Sequence, residues 1–167
     1  MSRAALAAVA LLTAASGAPV PPRTVPTAPP LAGLDPATGA SVVLDPKDGP
    51  MHLVVFATWC RPCVEQIPKL FDLEDRFKPE GYRLFLIALP TRQSVDRLNR
   101  FLSEGPVPGR LLFDEHGTIA AALGATTVPA HLLIDRKGNV VARTSSPDPD
   151  FTTAVERLVR QEGRVAP

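Results

Sequence analysis

His52-Leu-Val-Val-Phe-Ala-Thr-Trp-Cys-Arg-Pro-Cys63 is the stretch on which the fold turns. From His52 to Ala57 the run is continuous in apolar residues rather than alternating, which marks a strand buried on both faces. It leads directly into two cysteines three positions apart. Beyond Cys63, the residues Val64, Ile67, Leu70, Phe71 and Phe77 recur at spacings of three and four, with Glu65, Lys69, Asp72, Asp75 and Arg76 between them. That spacing predicts an amphipathic helix, with a kink at Pro68. The unit is therefore strand, Cys-x-x-Cys, helix.

A strand that delivers Cys60 to the first turn of a helix places its sulfur among unpaired backbone N–H groups and at the positive end of the helix dipole. Both favour the thiolate, the nucleophilic form. A pKa lowered from about 8.5 toward roughly 3.5–7.5 makes such a thiol reactive at neutral pH. Arg61 adds a positive charge, and Pro62 sits where a missing N–H costs little. Cys63, one turn later, points back toward Cys60 and lies deeper, which suits it to attack a mixed disulfide and release the substrate. Cys60 is thus expected to be the exposed nucleophile and Cys63 the resolving thiol. Trp59, the only tryptophan, stands directly before the nucleophile and is read as an aromatic at the surface beside it. The bland alternative is a pair of inert buried cysteines or an incomplete metal site, which the strand-to-helix context disfavours.

Working outward, residues 82–89 form a second buried strand. Val95, Leu98, Phe101 and Leu102 give the inward stripe of a helix closed by Gly105 and Pro106, so this part reads as a βαβ crossover. Short strands are expected at residues 41–44 and 111–113, and a short helix at 117–123. A hairpin is expected from 131–134 and 140–143, joined through Asp135-Arg-Lys-Gly-Asn139. Asp150 is placed as the cap of a last helix carrying Phe151, Val155, Leu158 and Val159, ended by Gly163. The fold class is α/β, a central mixed sheet flanked by helices.

The 167 residues, 45% apolar and 21% charged, suit one domain with a short appendage. Eighteen basic and 17 acidic residues give a net charge of +1 with no long run of either sign, which argues against a nucleic-acid partner. Two cysteines cannot supply a structural zinc set. The start, Met-Ser-Arg followed by the alanine-rich stretch from Ala4 to Ala15 and then small residues, reads as a secretory signal, too short and weakly apolar to span a bilayer comfortably. Its alternatives are an uncleaved leader acting as an anchor and an alanine-rich start on a cytoplasmic protein. The expected organisation is a signal peptide over 1–18, a proline-rich linker over 19–39, a domain over 40–163 and a tail over 164–167, with a periplasmic or exported location.

Ala57-Thr-Trp-Cys-Arg-Pro-Cys63, Pro68 on the helix, and Thr127-Val128-Pro129 followed by Leu132-Leu-Ile-Asp135 and Gly138 resemble thiol-disulfide oxidoreductases of the TlpA/ResA type, across residues 40–163. The resemblance implies a thioredoxin-like fold with a helix-plus-strand insertion between Cys63 and Pro129, and a C-terminal β-hairpin and helix. It also implies a cis Pro129 packed against the cysteines and a Val128 backbone that pairs with bound peptide. The implied partners are protein thiols or disulfides and a membrane protein that donates or accepts electrons. No cofactor beyond the Cys60–Cys63 disulfide and a monomeric state are expected. Two positions depart from the pattern. Val54 stands where thioredoxins hold a buried Asp, and Gln66 where this branch often holds a Glu. Glu65, about 100° round the helix and expected to face solvent, is the candidate substitute for proton handling. The sequence from Ala122 to Pro129 lacks the stretch typical of dedicated cytochrome c maturation members, so that pathway is not assigned.

A different class of function, a copper or other metal carrier of the same fold, would use Cys60, Cys63 and His131. Carriers of that kind have a Cys-x-x-x-Cys spacing, which is absent here, and a histidine opening an apolar strand reads as a satisfied structural residue, so no metal site is assigned. His52 and His116 read as edge and turn residues. The Pro-x-x-x-Thr-x-x-Cys of a peroxidatic centre is also absent.

Overall fold

The computed structural model describes residues 31–162, so the signal segment expected over 1–18, the prolines up to Pro30 and the tail over 164–167 lie outside the described residues. The strands are β1 (Leu31–Leu34), β2 (Ser41–Leu44), β3 (Met51–Phe56), β4 (Arg83–Ala88), β5 (Arg110–Phe113), β6 (Ala130–Ile134) and β7 (Val140–Thr144). The helices are α1 (Arg61–Glu65), α2 (Ile67–Phe77), α3 (Val95–Glu104), α4 (Thr118–Ala122) and α5 (Pro149–Glu162). They build one mixed sheet in the order β2-β1-β5-β4-β3-β6-β7. β3, β4 and β5 run parallel, joined by helical crossovers, while β6 lies antiparallel to β3 and β7 closes the far edge as a hairpin.

β3 sits at the heart of the sheet, and all six of its residues are buried, as its unbroken apolar run requires. Its alternating side chains feed two cores. Val54 and Phe56 face α1, α2, α3 and α5 together with Leu84, Leu86, Leu133, Phe151 and both cysteines. Leu53 and Val55 face the other way, with Ile87, Leu112, Leu132 and Ile119 of α4. At about 1.5–3 kcal/mol for each large apolar side chain removed from water, these two layers supply the main drive to fold.

Three expectations need correction. Residues 31–34, assigned to the linker, form β1, which pairs with β2 from Leu31 opposite Leu44 to Leu34 opposite Ser41. The hairpin is closed by Asp35 N–H on the Ala40 carbonyl at 2.8 Å and anchored by Asp35 to Arg110 at 2.8 Å. Gly33, which reads locally as a breaker, is there because a Cβ would lie 2.8 Å from Leu112 Cβ. The helix after the cysteines is two helices, since Pro68 cannot donate to the Val64 carbonyl and the chain turns at Gln66 instead. Finally, Asp148 rather than Asp150 caps α5, accepting from Phe151 N–H at 2.8 Å, with Pro149 in the first turn.

Candidate active site

β3 ends at Phe56, and the chain crosses Ala57-Thr58-Trp59 to reach Cys60, whose N–H closes a turn on the Ala57 carbonyl at 3.0 Å. Cys60 has extended backbone and is the N-cap of α1, and its Sγ accepts the Cys63 N–H at 3.3 Å. The sulfur thus takes the place of a capping oxygen, in the field of the free N–H groups of the first turn. Cys60 and Cys63 form a disulfide with their Cα atoms 5.3 Å apart. In this oxidised state Cys60 is 6% exposed and Cys63 4%. The difference expected between an exposed nucleophile and a covered partner is therefore small while the bond is intact; the N-cap position, not exposure, sets Cys60 apart.

The surrounding residues divide cleanly. Trp59 is 42% exposed, its indole N–H donating to the Thr91 carbonyl at 2.8 Å, and with the exposed Val64 it gives the rim of the site an apolar surface. Thr58 Oγ1 donates to Gln93 Oε1 at 2.8 Å, so the loop after β4 braces the cysteine turn from two sides. Thr91 and Gln93 were not legible as site residues, because only the fold brings that loop to the cysteines. Arg61 and Glu65 pair with each other at 2.7 Å, both side chains largely in solvent, and Pro62 occupies the first turn of α1. Glu65 thus faces solvent, as expected. Val128 and Pro129 precede β6 with a cis bond between them, as the resemblance implied, and Val128 packs against the core layer that contains both cysteines.

Beneath the site runs a chain of polar groups that local sequence pattern did not show. Tyr82 Oη meets His52 Nδ1 at 2.5 Å, His52 Nε2 meets His131 Nδ1 at 3.0 Å, and His131 Nε2 meets Gln66 Oε1 at 2.7 Å. Gln66 Nε2 then donates to the Ser145 carbonyl at 3.1 Å. His52, expected at an edge, lies on β3 in the interior of the sheet, between β4 and β6, and both histidines are fully buried. They are diagonal neighbours, since His52 pairs with Leu133 and Val54 with His131. Burial, and then the proximity of His131, pushes the His52 pKa well below its usual range; burial alone pushes His131 down to about 4. Burial and the charge of Glu74 raise the Tyr82 phenol well above its usual value.

The Redoxin family profile matches residues 16–158, most of the chain. The chain belongs to the Redoxin family. Among curated proteins, this redoxin is 27% identical over 97 residues to a thiol-disulfide oxidoreductase ResA of Bacillus thuringiensis subsp. konkukian, covering 58% of this chain and 55% of that one. It is 28% identical over 106 residues to the thiol:disulfide interchange protein CycY of Rhizobium leguminosarum bv. viciae, covering 62% and 54%. The aligned region thus spans about half the length of these curated relatives. A thiol:disulfide interchange protein of the thioredoxin family from Chlorobium tepidum TLS shares the fold, with a TM-score of 0.67 at 20% identity over 85% of this chain and 99% of that one.

Within the redoxin scaffold there is no carboxylate at Val54, where thioredoxins were expected to hold a buried Asp, nor at Gln66, where the TlpA/ResA type was expected to hold a Glu. His131 lies opposite Val54 on β6 and is hydrogen-bonded to Gln66. Both ring nitrogens of His131 are committed to His52 and Gln66, as expected of a satisfied structural histidine.

Proposed function

We propose that this redoxin is a thiol-disulfide oxidoreductase that exchanges disulfides with protein substrates through Cys60 and Cys63. One observation carries the reading: the Cys60–Cys63 bond caps α1, with Cys60 Sγ held on the Cys63 N–H at 3.3 Å. In the reduced protein the same N–H and the helix dipole stabilise a Cys60 thiolate. That thiolate attacks one sulfur of a substrate disulfide, forming a mixed disulfide and expelling the other substrate sulfur as a thiolate. Cys63 loses its proton and attacks Cys60 Sγ, which re-forms the intramolecular bond and releases the second substrate thiol. Two electrons pass from the protein to the substrate; run backwards, the same steps oxidise a substrate dithiol.

Trp59 and Val64 offer an apolar rim for a substrate segment, and the Val128 backbone is the place for its main chain to pair. Arg61, exposed at the mouth and paired to Glu65, gives that rim a polar border. The alanine-rich start supports action outside the cytoplasm, with electrons exchanged through a membrane protein. The test is equilibration of the purified protein against reduced and oxidised glutathione, with thiols trapped and counted by mass. A single two-electron transition between the Cys60–Cys63 disulfide and the dithiol is expected. A pair that stays oxidised, or cysteines that take up glutathione without closing on each other, contradicts the assignment.

A further inference from the structure

The exchange steps above use neither of the two fully buried histidines, yet with both rings held neutral by their burial the hydrogen bonds fix the place of every proton on them. The Ser145 carbonyl only accepts, so Gln66 must present its NH2 there and its Oε1 to His131. Oε1 also only accepts, so His131 Nε2 carries a hydrogen. In a neutral ring that leaves a lone pair on His131 Nδ1, which the Nε2–H of His52 fills. His52 Nδ1 is then bare and takes the Tyr82 hydroxyl proton. Every donor from Tyr82 to Ser145 points the same way, and both rings are neutral.

Such a chain has room for one more proton and no more. If His52 Nδ1 gains a hydrogen, Tyr82 Oη turns from donor to acceptor and every other bond stands. The proton between His52 Nε2 and His131 Nδ1 can then rest on either ring across 3.0 Å. A second added proton would set two imidazolium ions against each other. The pair lies in the layer that holds the cysteines: Val54, opposite His131, belongs to the same buried cluster as Cys60 and Cys63, and Phe151 of α5 packs on both rings. Gln66, which ends the chain, follows Cys63 by one turn and donates its backbone N–H to the Cys63 carbonyl at 3.3 Å. Among the described residues neither ring is paired with a carboxylate. The polar groups facing the pair are Tyr82, Gln66 and the Ser145 carbonyl, with the charge of Glu74 on α2 acting on Tyr82.

We propose that the His52–His131 pair is the proton store of the redox centre, taking up one proton in acidic solution when the Cys60–Cys63 disulfide is reduced. The inference rests on the dithiol reading and completes its balance. A partner dithiol loses two electrons and two protons as its own disulfide forms. The electrons break the Cys60–Cys63 bond, one proton goes to Cys63, and Cys60 remains a thiolate. The second proton goes to the histidine pair, where its positive charge offsets the thiolate in the same buried layer. The pair acts on the cysteines through charge, as a positioning element for the proton, and forms no bond to substrate.

The test is a titration of the full chain labelled with 15N-histidine, from pH 4 to 8, in the oxidised form and again in dithiothreitol, with exposed His116 as the reference ring. Reduction should raise the midpoint of the His52–His131 pair by at least about one pH unit. In the oxidised form both rings should show the Nε2–H tautomer. Alongside, the equilibrium with dithiothreitol should stay nearly flat with pH between the two midpoints in the wild type, whereas a His131→Gln variant, which must release the second proton, should lose reduced protein by up to about tenfold per pH unit as pH falls. If reduction goes to completion and the midpoints do not move, the proton store is wrong while the dithiol chemistry stands. If the disulfide does not exchange with dithiothreitol at all, both readings fall. Should His131→Gln not fold, the wild-type titration decides alone.

Discussion

Gln66 Oε1 accepts the Nε2–H of His131 at 2.7 Å, and through this one bond the turn after Cys63 is tied to the sheet. The same amide reaches the Ser145 carbonyl beyond β7. A residue that sequence alone presents as an acid replaced by an inert amide is thereby the junction of α1, α2, β6 and the segment leading to α5.

Removing that junction is expected to cost stability. Gln66→Ala strands the buried His131 N–H and should lower the unfolding free energy of the oxidised protein by about 1–3 kcal/mol, read from urea denaturation at pH 7. Gln66→Glu keeps an acceptor for His131 but turns a carboxylate oxygen toward the Ser145 carbonyl. It should raise the His131 midpoint, because the carboxylate favours the imidazolium. An alanine variant as stable as the parent would show that the junction is not holding the turn.

Acid should destabilise the protein well above the range in which exposed carboxylates protonate. His131 binds its proton with a pKa of about 4 when folded and 6.5 when unfolded, so between these values the unfolded chain holds more protons. Stability therefore rises with pH through this window and is lost as pH falls from about 6.5 toward 4. The loss from this residue is on the order of 3 kcal/mol, with His52 shifted in the same direction. Urea midpoints of the oxidised protein at pH 7 and pH 4.5 check it, and a His131→Gln variant should lose part of the difference, His52 supplying the rest. Equal midpoints at the two pH values would contradict the burial of neutral rings.

Gly109 is fixed by its neighbour on the sheet. Its φ is +64°, and a Cβ there would sit 2.2 Å from the Leu84 carbonyl oxygen, while its N–H is held by Glu74 at 2.7 Å. Gly109→Ala combines a left-handed backbone with a clash against main chain that cannot swing aside. It should cost about 3 kcal/mol or more and lower the melting temperature by about 10 °C. Gly81→Ala has positive φ but open space around it, and should cost clearly less.

The parts of this molecule legible in sequence are those whose signal is local. The apolar run into Cys60, the helix stripe through Leu70 and Phe77, and the hairpin at Asp135 to Asn139 each show their structure within about ten residues. β1 was missed because Leu31-Ala-Gly-Leu34 is short, follows prolines, and owes its place to Gly33 lying on Leu112, far along the chain. His52 was missed for the same reason. Its partners, Tyr82 and His131, are 30 and 79 positions away, and no periodicity announces a hydrogen bond across two strands. The cysteines and the cis bond at Pro129 were found from motif, whereas the bracing by Thr91 and Gln93 came only with the fold.

The central claim is that Cys60 attacks and Cys63 resolves, and trapping reads it most directly. A Cys63→Ser protein, reduced and mixed with a peptide that carries a single intramolecular disulfide, cannot complete the exchange. It should accumulate a mixed disulfide that peptide mapping by mass spectrometry places on Cys60, while Cys60→Ser should give little or none. Accumulation of the adduct on Cys63 in the Cys60→Ser protein, with none on Cys60 in its counterpart, would contradict the account.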